Sequence, residues 1–160
     1  MCRQTSLLIA AGESNLIVNI KKGQFAHSST MKHANLKVQS NGNNKITLCE
    51  RGNSFGYGLV VDFTNLVNMR ENKDALIIFD STHSVQIPNC DSFTHGNRAM
   101  IPTLARCAVA TGIHGLFLEV HDDPINKARC DGTNQLILKD FEPLLTELIN
   151  ISNASNGLSK

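Results

Sequence analysis

The 160-residue sequence lacks an excess of either charge and any long apolar run. Fifteen lysine and arginine residues balance fourteen aspartate and glutamate residues, which gives a formal net charge of +1. A general binder of nucleic acids or acidic membranes needs a basic excess, so the sequence predicts neither partner. No apolar run approaches the roughly 20 residues that cross a bilayer, and we therefore expect no membrane-spanning helix.

Close pairs of cysteine are also absent. The cysteines are odd in number and widely spread, and without a Cys-x-x-Cys pair they do not indicate a structural zinc site. The N-terminal residues lack the long apolar core of a signal peptide. These features favour reduced thiols in a cytoplasmic protein. The five cysteines are Cys2, Cys49, Cys90, Cys107 and Cys130.

Short apolar runs alternate with helical patterns along the chain. The runs predict buried strands over residues 15–20, 45–49, 75–79 and 115–118. Helices are predicted over residues 3–11, 30–39, 63–71, 98–111 and 138–151. One helix followed by four strand–helix units predicts an α/β protein with a parallel sheet and right-handed crossovers.

Glycine, proline and hydroxyl residues mark the predicted limits of these elements. Gly12 and Gly112 are expected to end their helices, and hydroxyls at residues 28–30 to cap the second helix. Pro102 is tolerable in a helix because it falls near the first turn. The segments 53–58 and 88–97 are predicted to be loops.

Every predicted strand ends in polar or charged residues. Parallel strands present such residues together at the carboxyl edge of the sheet, which is where the active site of a TIM barrel lies. A complete barrel has eight strands and about 250 residues, so the pattern predicts half of a (β/α)8 barrel. The polar strand ends are Lys21–Lys22, Glu50–Arg51, Asp80–His83 and Glu119–His121.

Several longer motifs make the resemblance to one family specific. Together they closely resemble the C-terminal half of the 3-deoxy-D-manno-octulosonate-8-phosphate (KDO-8-phosphate) synthases, over nearly the whole chain. The resemblance implies a single partial barrel domain over residues 1–160 that holds strands five to eight, in a family that forms homo-tetramers. The motifs are Arg3–Thr5, Lys21–Phe25, Cys49–Gly52, Phe55–Tyr57, Leu59–Asp62, Phe79–Gln86, Glu119–Pro124 and Asp131–Gly132.

The resemblance also implies an activity. The family is a transferase that condenses phosphoenolpyruvate with D-arabinose 5-phosphate and releases phosphate, in KDO and lipopolysaccharide biosynthesis. We expect this chain, as half of a barrel, to be inactive alone: a fragment, a split product or a remnant. The alternatives are a non-catalytic half-barrel that binds anions or a partner chain, and a related heptulosonate-phosphate synthase. Lys21–Phe25 and Asp80–Ser84 favour the octulosonate enzyme over the latter.

Candidate substrate-binding residues follow from charge and from the resemblance. Phosphoenolpyruvate carries a phosphate and a carboxylate, and its binding needs convergent cations. Lys21 and Arg51 end adjacent predicted strands, and the family match assigns both to this substrate. By the same match His83 lies near its phosphate. Lys22 and Gln24 are weaker candidates that support the site from behind, and Arg3 is either a contact to the sugar phosphate of a neighbouring subunit or a plain helix charge.

Catalytic and metal-binding roles rest on the resemblance as well. It implies that His83, Lys21 and Asp131 are catalytic. In metal-dependent members, the positions that match His83, Glu119 and Asp131 bind a divalent ion together with a cysteine. That cysteine position lies outside the matched half, and Cys130 before Asp131 resembles the metal-independent branch, so either no cofactor or a divalent metal is expected.

Two departures from the family pattern concern loops near these residues. The segment between Glu119 and Asp131 is one residue longer than usual, which predicts a displaced Asp131. His95 stands where the family has glycine, a costly replacement if that position needs a positive φ.

Overall fold

The computed structural model describes residues 2–56, 58–87 and 95–157. The described chain forms five α-helices and ten short strands. The helices are α1 (Thr5–Glu13), α2 (Thr30–Gln39), α3 (Thr64–Arg70), α4 (Ile101–Ala110) and α5 (Phe141–Gly157). The strands are β1 (Val18–Lys21), β2 (Ile46–Glu50), β3 (Asn53–Phe55), β4 (Gly58–Val60), β5 (Leu76–Asp80), β6 (Gln86–Ile87), β7 (His95–Gly96), β8 (Gly115–Phe117), β9 (Val120–His121) and β10 (Leu136–Ile137).

Four of these strands form one parallel sheet in the order β1-β2-β5-β8. All three pairings in it are parallel, and each strand lies beside the next in the chain. A helix follows each strand before the chain returns to the sheet, as in successive β/α units. The predicted α/β fold with a four-stranded parallel sheet is therefore confirmed, and the predicted strands and helices agree with the structure to within a few residues, apart from the carboxyl end of α5.

The core lies between the main sheet and the helices that pack against it. Ile77 and Phe79 of β5 and Leu48 of β2 are fully buried. They pack in a cluster with α1, α2 and α3, and a second cluster joins α4 to α5 through Ile101 and Leu148. Because the four strands are parallel, their polar carboxyl ends lie together at one edge of the sheet.

Three small sheets follow the carboxyl ends of the main strands, and none of them was predicted. β3 and β4 form an antiparallel hairpin within the predicted loop 53–58 and beyond it. β6 pairs with β7 antiparallel, and β9 pairs with β10 parallel. Most of the predicted loop 88–97 lies outside the described residues, and residues 95 and 96 form β7.

Two of the four predictions about helix ends are confirmed and two are wrong. Pro102 falls at the start of α4, and Gly112 has φ +78° after its end, as predicted. Gly12 does not end α1, which runs to Glu13. The predicted hydroxyl cap of α2 is wrong, because its N-cap residue Ser29 makes no side-chain capping hydrogen bond.

Other whole-chain predictions concern thiols and membranes. Cys2, Cys49, Cys107 and Cys130 are free thiols, and Cys90 lies outside the described residues. Among the described residues, no helix combines the length and the apolar character that crossing a bilayer requires.

Candidate active site

Asp80 is the centre of the polar group at the carboxyl edge of the sheet. It ends β5 and is fully buried, because β2 and β8 flank its strand. Its Oδ1 accepts the backbone N–H groups of Thr82 (3.0 Å) and His83 (2.8 Å). Its Oδ2 lies 2.6 Å from Lys21 Nζ and 2.8 Å from His83 Nδ1. One carboxylate therefore holds two of the three predicted catalytic residues, Lys21 and His83.

The charge of Asp80 is stabilised in spite of its burial. Burial raises the pKa of this carboxyl group, but the hydrogen bonds from His83 and Lys21 outweigh burial and hold the pKa below its usual value. Asp80 is thus ionised at neutral pH. The sequence analysis did not name it as a site residue, although a carboxylate at the end of a buried strand is a signal for one.

Lys21 and His83 share further contacts. Lys21 Nζ lies 3.3 Å from His83 Nδ1 and 4.5 Å from the centre of the Phe117 ring. The rings of His83 and Phe117 are 5.9 Å apart. Since Asp80 occupies Nδ1, the other nitrogen of His83, Nε2, is the one that faces Glu119, at 3.6 Å from Oε1. The side chain of Lys21 is 36% exposed, so its ammonium is open to a ligand.

Arg51 lies beside this group. It is almost buried, and one terminal nitrogen of its guanidinium donates to the carbonyl of His83 (2.8 Å) and to Oε1 of Gln86. Its Nε has no hydrogen-bond partner among the described residues. Burial lowers the pKa of Arg51, and Asp80 and Glu50 oppose that shift. A buried guanidinium with an unused donor is suited to binding an anion.

Asp131 joins the site through Gln86. Gln86 Nε2 donates to Asp131 Oδ1 at 3.2 Å, while its oxygen accepts from Arg51. Asp131 has φ +51°, and Asn134 also donates to its Oδ1. Gln86 therefore links Asp131 to Arg51, although the loop before Asp131 is longer than in the family. Gln86 was not predicted to be a site residue.

Two predicted substrate contacts stand apart from this group. Gln24 accepts from the backbone N–H of Ser54 and lies beside the hydroxyl of the same residue. Arg3 is exposed just ahead of α1. Among the described residues, no recorded contact joins either of them to Lys21 or His83, and their substrate roles stay predictions.

The predicted metal ligands do not converge on one point. His83 and Glu119 are neighbours, but the recorded partners of Asp131 are Gln86 and Asn134. The described residues contain no group of three or more histidine, cysteine, aspartate or glutamate side chains arranged to hold a metal ion. His83, Glu119 and Asp131, as arranged in the described residues, do not form a binding site for a divalent ion. Metal dependence stays a prediction.

Comparison of the sequence with known proteins identifies several relatives that share one name. Relatives named 2-dehydro-3-deoxyphosphooctonate aldolase occur in Desulfatibacillum aliphaticivorans (50% identical over 158 residues, covering 98% of this chain and 57% of the relative) and in Koribacter versatilis strain Ellin345 (48% over 159 residues, 96% and 56%). In Arabidopsis thaliana, 2-dehydro-3-deoxyphosphooctonate aldolase 2 is 47% identical over 164 residues, covering 98% of this chain and 56% of the relative.

The chain thus spans a little over half the length of these relatives. Their shared name confirms the predicted relation to the KDO-8-phosphate synthases. The model of the DAHP synthetase I family matches residues 1–155. This chain belongs to the DAHP synthetase I family.

Proposed function

We propose that this chain is the C-terminal half of an enzyme that condenses phosphoenolpyruvate with D-arabinose 5-phosphate to form 3-deoxy-D-manno-octulosonate 8-phosphate and phosphate. The observation that carries this proposal is the convergence of Lys21, His83 and Arg51 at one edge of the sheet. Lys21 and His83 meet at the Asp80 carboxylate, and Arg51 donates to the carbonyl of His83. Identity of 44–50% to relatives named 2-dehydro-3-deoxyphosphooctonate aldolase supports it.

In this proposal, Lys21 and Arg51 bind the two anionic ends of phosphoenolpyruvate. The side chain of Lys21 is partly open to solvent and carries a point charge, whereas Arg51 is nearly buried and carries a planar guanidinium. Their different geometries suit the carboxylate and the phosphate, which differ in size and charge. Both cations are held by neighbours before the ligand arrives, which lowers the entropic cost of binding.

His83 is the proposed proton-transfer group. Asp80 fixes its Nδ1 at 2.8 Å and so orients the ring, which leaves Nε2 beside Glu119 to give or take a proton. The step that needs such a group is the breakdown of the intermediate formed when water adds to C2 of phosphoenolpyruvate and C3 bonds to the aldehyde. As the new C2 hydroxyl gives up its proton and becomes the ketone, the C2–O bond breaks and phosphate leaves with the electron pair. Asp131, linked through Gln86 to Arg51, is placed to orient the second substrate or a water molecule.

The finer fold assignment is also part of the proposal. The strands β1, β2, β5 and β8 correspond to barrel strands five to eight, and α1 is the helix after strand four. The match to a little over half of each relative supports this mapping. On this view residues 1–160 form one partial domain, and the complete enzyme is a cytoplasmic homo-tetramer.

The test is isothermal titration of phosphoenolpyruvate into the purified chain. We expect saturable binding that weakens at least tenfold in Lys21→Met, because the substitution removes one of two cations. Lys45→Met is the matched control, since Lys45 lies just before the opposite, amino end of β2 and donates to the carbonyl of Asn15. No detectable binding to the wild-type chain, or equal loss in both variants, overturns the proposal.

A further inference from the structure

The residue after Lys21 is a second lysine with a different environment. The side chain of Lys22 is fully buried, although it directly follows the partly exposed Lys21 at the end of β1. Its Nζ lies within hydrogen-bonding distance of the carbonyl oxygens of Gly23 (3.2 Å), Ala26 (3.2 Å) and Gly52 (3.3 Å). It also donates to Asn53 Oδ1 at 2.9 Å.

The counter-ion of Lys22 is Glu50, the last residue of β2. Glu50 Oε1 lies 3.4 Å from Lys22 Nζ, and the Glu50 side chain is also fully buried. The same oxygen accepts the backbone N–H groups of Arg51 (3.0 Å) and Gly52 (2.7 Å). Gly52 has φ +89°, so the chain turns sharply here, in a conformation that favours glycine.

This buried pair connects the two segments that carry the predicted anion-binding cations. Lys22 binds carbonyl groups after β1 and after β2, while Glu50 holds the backbone of Arg51 itself. Two fully buried charges are costly to desolvate, and apolar residues often replace such a pair without loss of stability. Stability alone therefore does not explain why the pair lies directly beneath the site.

We propose that Lys22 and Glu50 are positioning residues that set the spacing between the Lys21 ammonium and the Arg51 guanidinium. This inference rests on the proposed function, because the spacing matters only for a ligand with two anionic groups. Phosphoenolpyruvate has two such groups and inorganic phosphate has one. A change in spacing therefore weakens phosphoenolpyruvate binding more than phosphate binding.

The test compares the affinities of these two ligands by isothermal titration. The double variant Lys22→Met/Glu50→Gln removes both buried charges together and leaves no unpaired ion. We expect its affinity for phosphoenolpyruvate to fall about tenfold, whereas its affinity for inorganic phosphate changes less than twofold. The matched control is Arg106→Met/Glu147→Gln, which removes an exposed ion pair between α4 and α5 and is expected to change neither affinity.

A conservative variant keeps the test decisive if the double variant does not fold. Glu50→Asp retains the charge but withdraws the carboxylate by one methylene from the amides of Arg51 and Gly52. We expect the ratio of the two affinities to fall about threefold in this variant, with a circular dichroism spectrum like that of the wild type.

Three results separate the possibilities. A fall in the ratio of affinities supports the positioning role. A ratio that stays at the wild-type value in a folded variant overturns this inference alone, because the pair is then only structural. Absence of phosphoenolpyruvate binding to the wild-type chain overturns the proposed function and this inference with it.

Discussion

Asp80 illustrates how much of the site depends on one residue. Its two oxygens accept from two backbone amides and lie within 2.8 Å of the two side chains proposed to handle substrate. Sequence reasoning found Lys21, Arg51 and His83 because strand ends and motifs point to them. It did not identify Asp80, although this residue contacts both Lys21 and His83. Several polar residues follow each other at the end of this strand, and the sequence does not show which of them the other site residues contact.

Replacement of this carboxylate gives a prediction at the residue scale. Asp80→Asn retains the size of the side chain but removes the charge that holds Lys21 and His83. We expect the free energy of unfolding at pH 7 to fall by about 1–2 kcal/mol, at the lower end for a buried charged hydrogen bond because Lys21 is partly exposed. Urea denaturation monitored by circular dichroism measures it.

The same variant predicts a change in acid stability. The pKa of Asp80 is lower in the folded chain than in the unfolded chain, so its contribution is present above the unfolded pKa, near pH 4. The contribution is lost as pH falls through the lower, folded pKa. The difference in stability between wild type and Asp80→Asn should therefore shrink below pH 4. A difference that is constant from pH 7 to pH 3 contradicts this role.

At the scale of elements, the four main strands were predictable and the three small sheets were not. β2 and β5 have five residues each, most of which are apolar and pack against the flanking helices, so their sequences identify them as strands. β6, β7, β9 and β10 have two residues each, too few to show any periodicity. Their pairing depends on partners that are distant in the chain, which single-sequence reasoning does not supply.

The condition under which His95 would be a costly replacement for glycine, a positive φ, is not met. Among the described non-glycine residues only Asn15 and Asp131 have a positive φ, so His95 carries no strain of that kind in β7. The glycine that the structure requires is the next residue, Gly96. A methyl group on Gly96 would coincide with the side-chain amide of Asn134, which is fully buried.

Gly96→Ala should therefore disturb the element that holds Asp131. The clash forces Asn134 away, and with it the hydrogen bond from Asn134 to Asp131. We expect a loss of about 1–3 kcal/mol in the free energy of unfolding, as for overpacking in a core. Gly56→Ala is the control, because an added methyl at Gly56 meets no atom within 4 Å. Equal unfolding midpoints for the two variants in urea would refute this account.

At the scale of the whole molecule, the main sheet has two open edges. Within the described residues, β1 pairs only with β2 and β8 only with β5. Unpaired strand edges beside apolar groups favour association with another chain. Next to β1, Leu16 and Ile17 are 69% and 75% exposed. The sequence analysis predicted half of a (β/α)8 barrel, and a sheet of four strands that does not close has two such edges.

The last prediction follows from these edges: the isolated chain self-associates through the β1 edge, and Ile17→Lys weakens that association. A lysine at this position removes apolar surface and adds charge beside the edge, so we expect the dissociation constant to rise about tenfold, or about 1.4 kcal/mol. Sedimentation velocity over a range of concentrations measures it. Ile125→Lys is a matched control, because Ile125 is also 75% exposed but lies between β9 and β10, outside the main sheet. If both variants associate like the wild type, or if the wild type is monomeric at every concentration, the open edge is not the site of association.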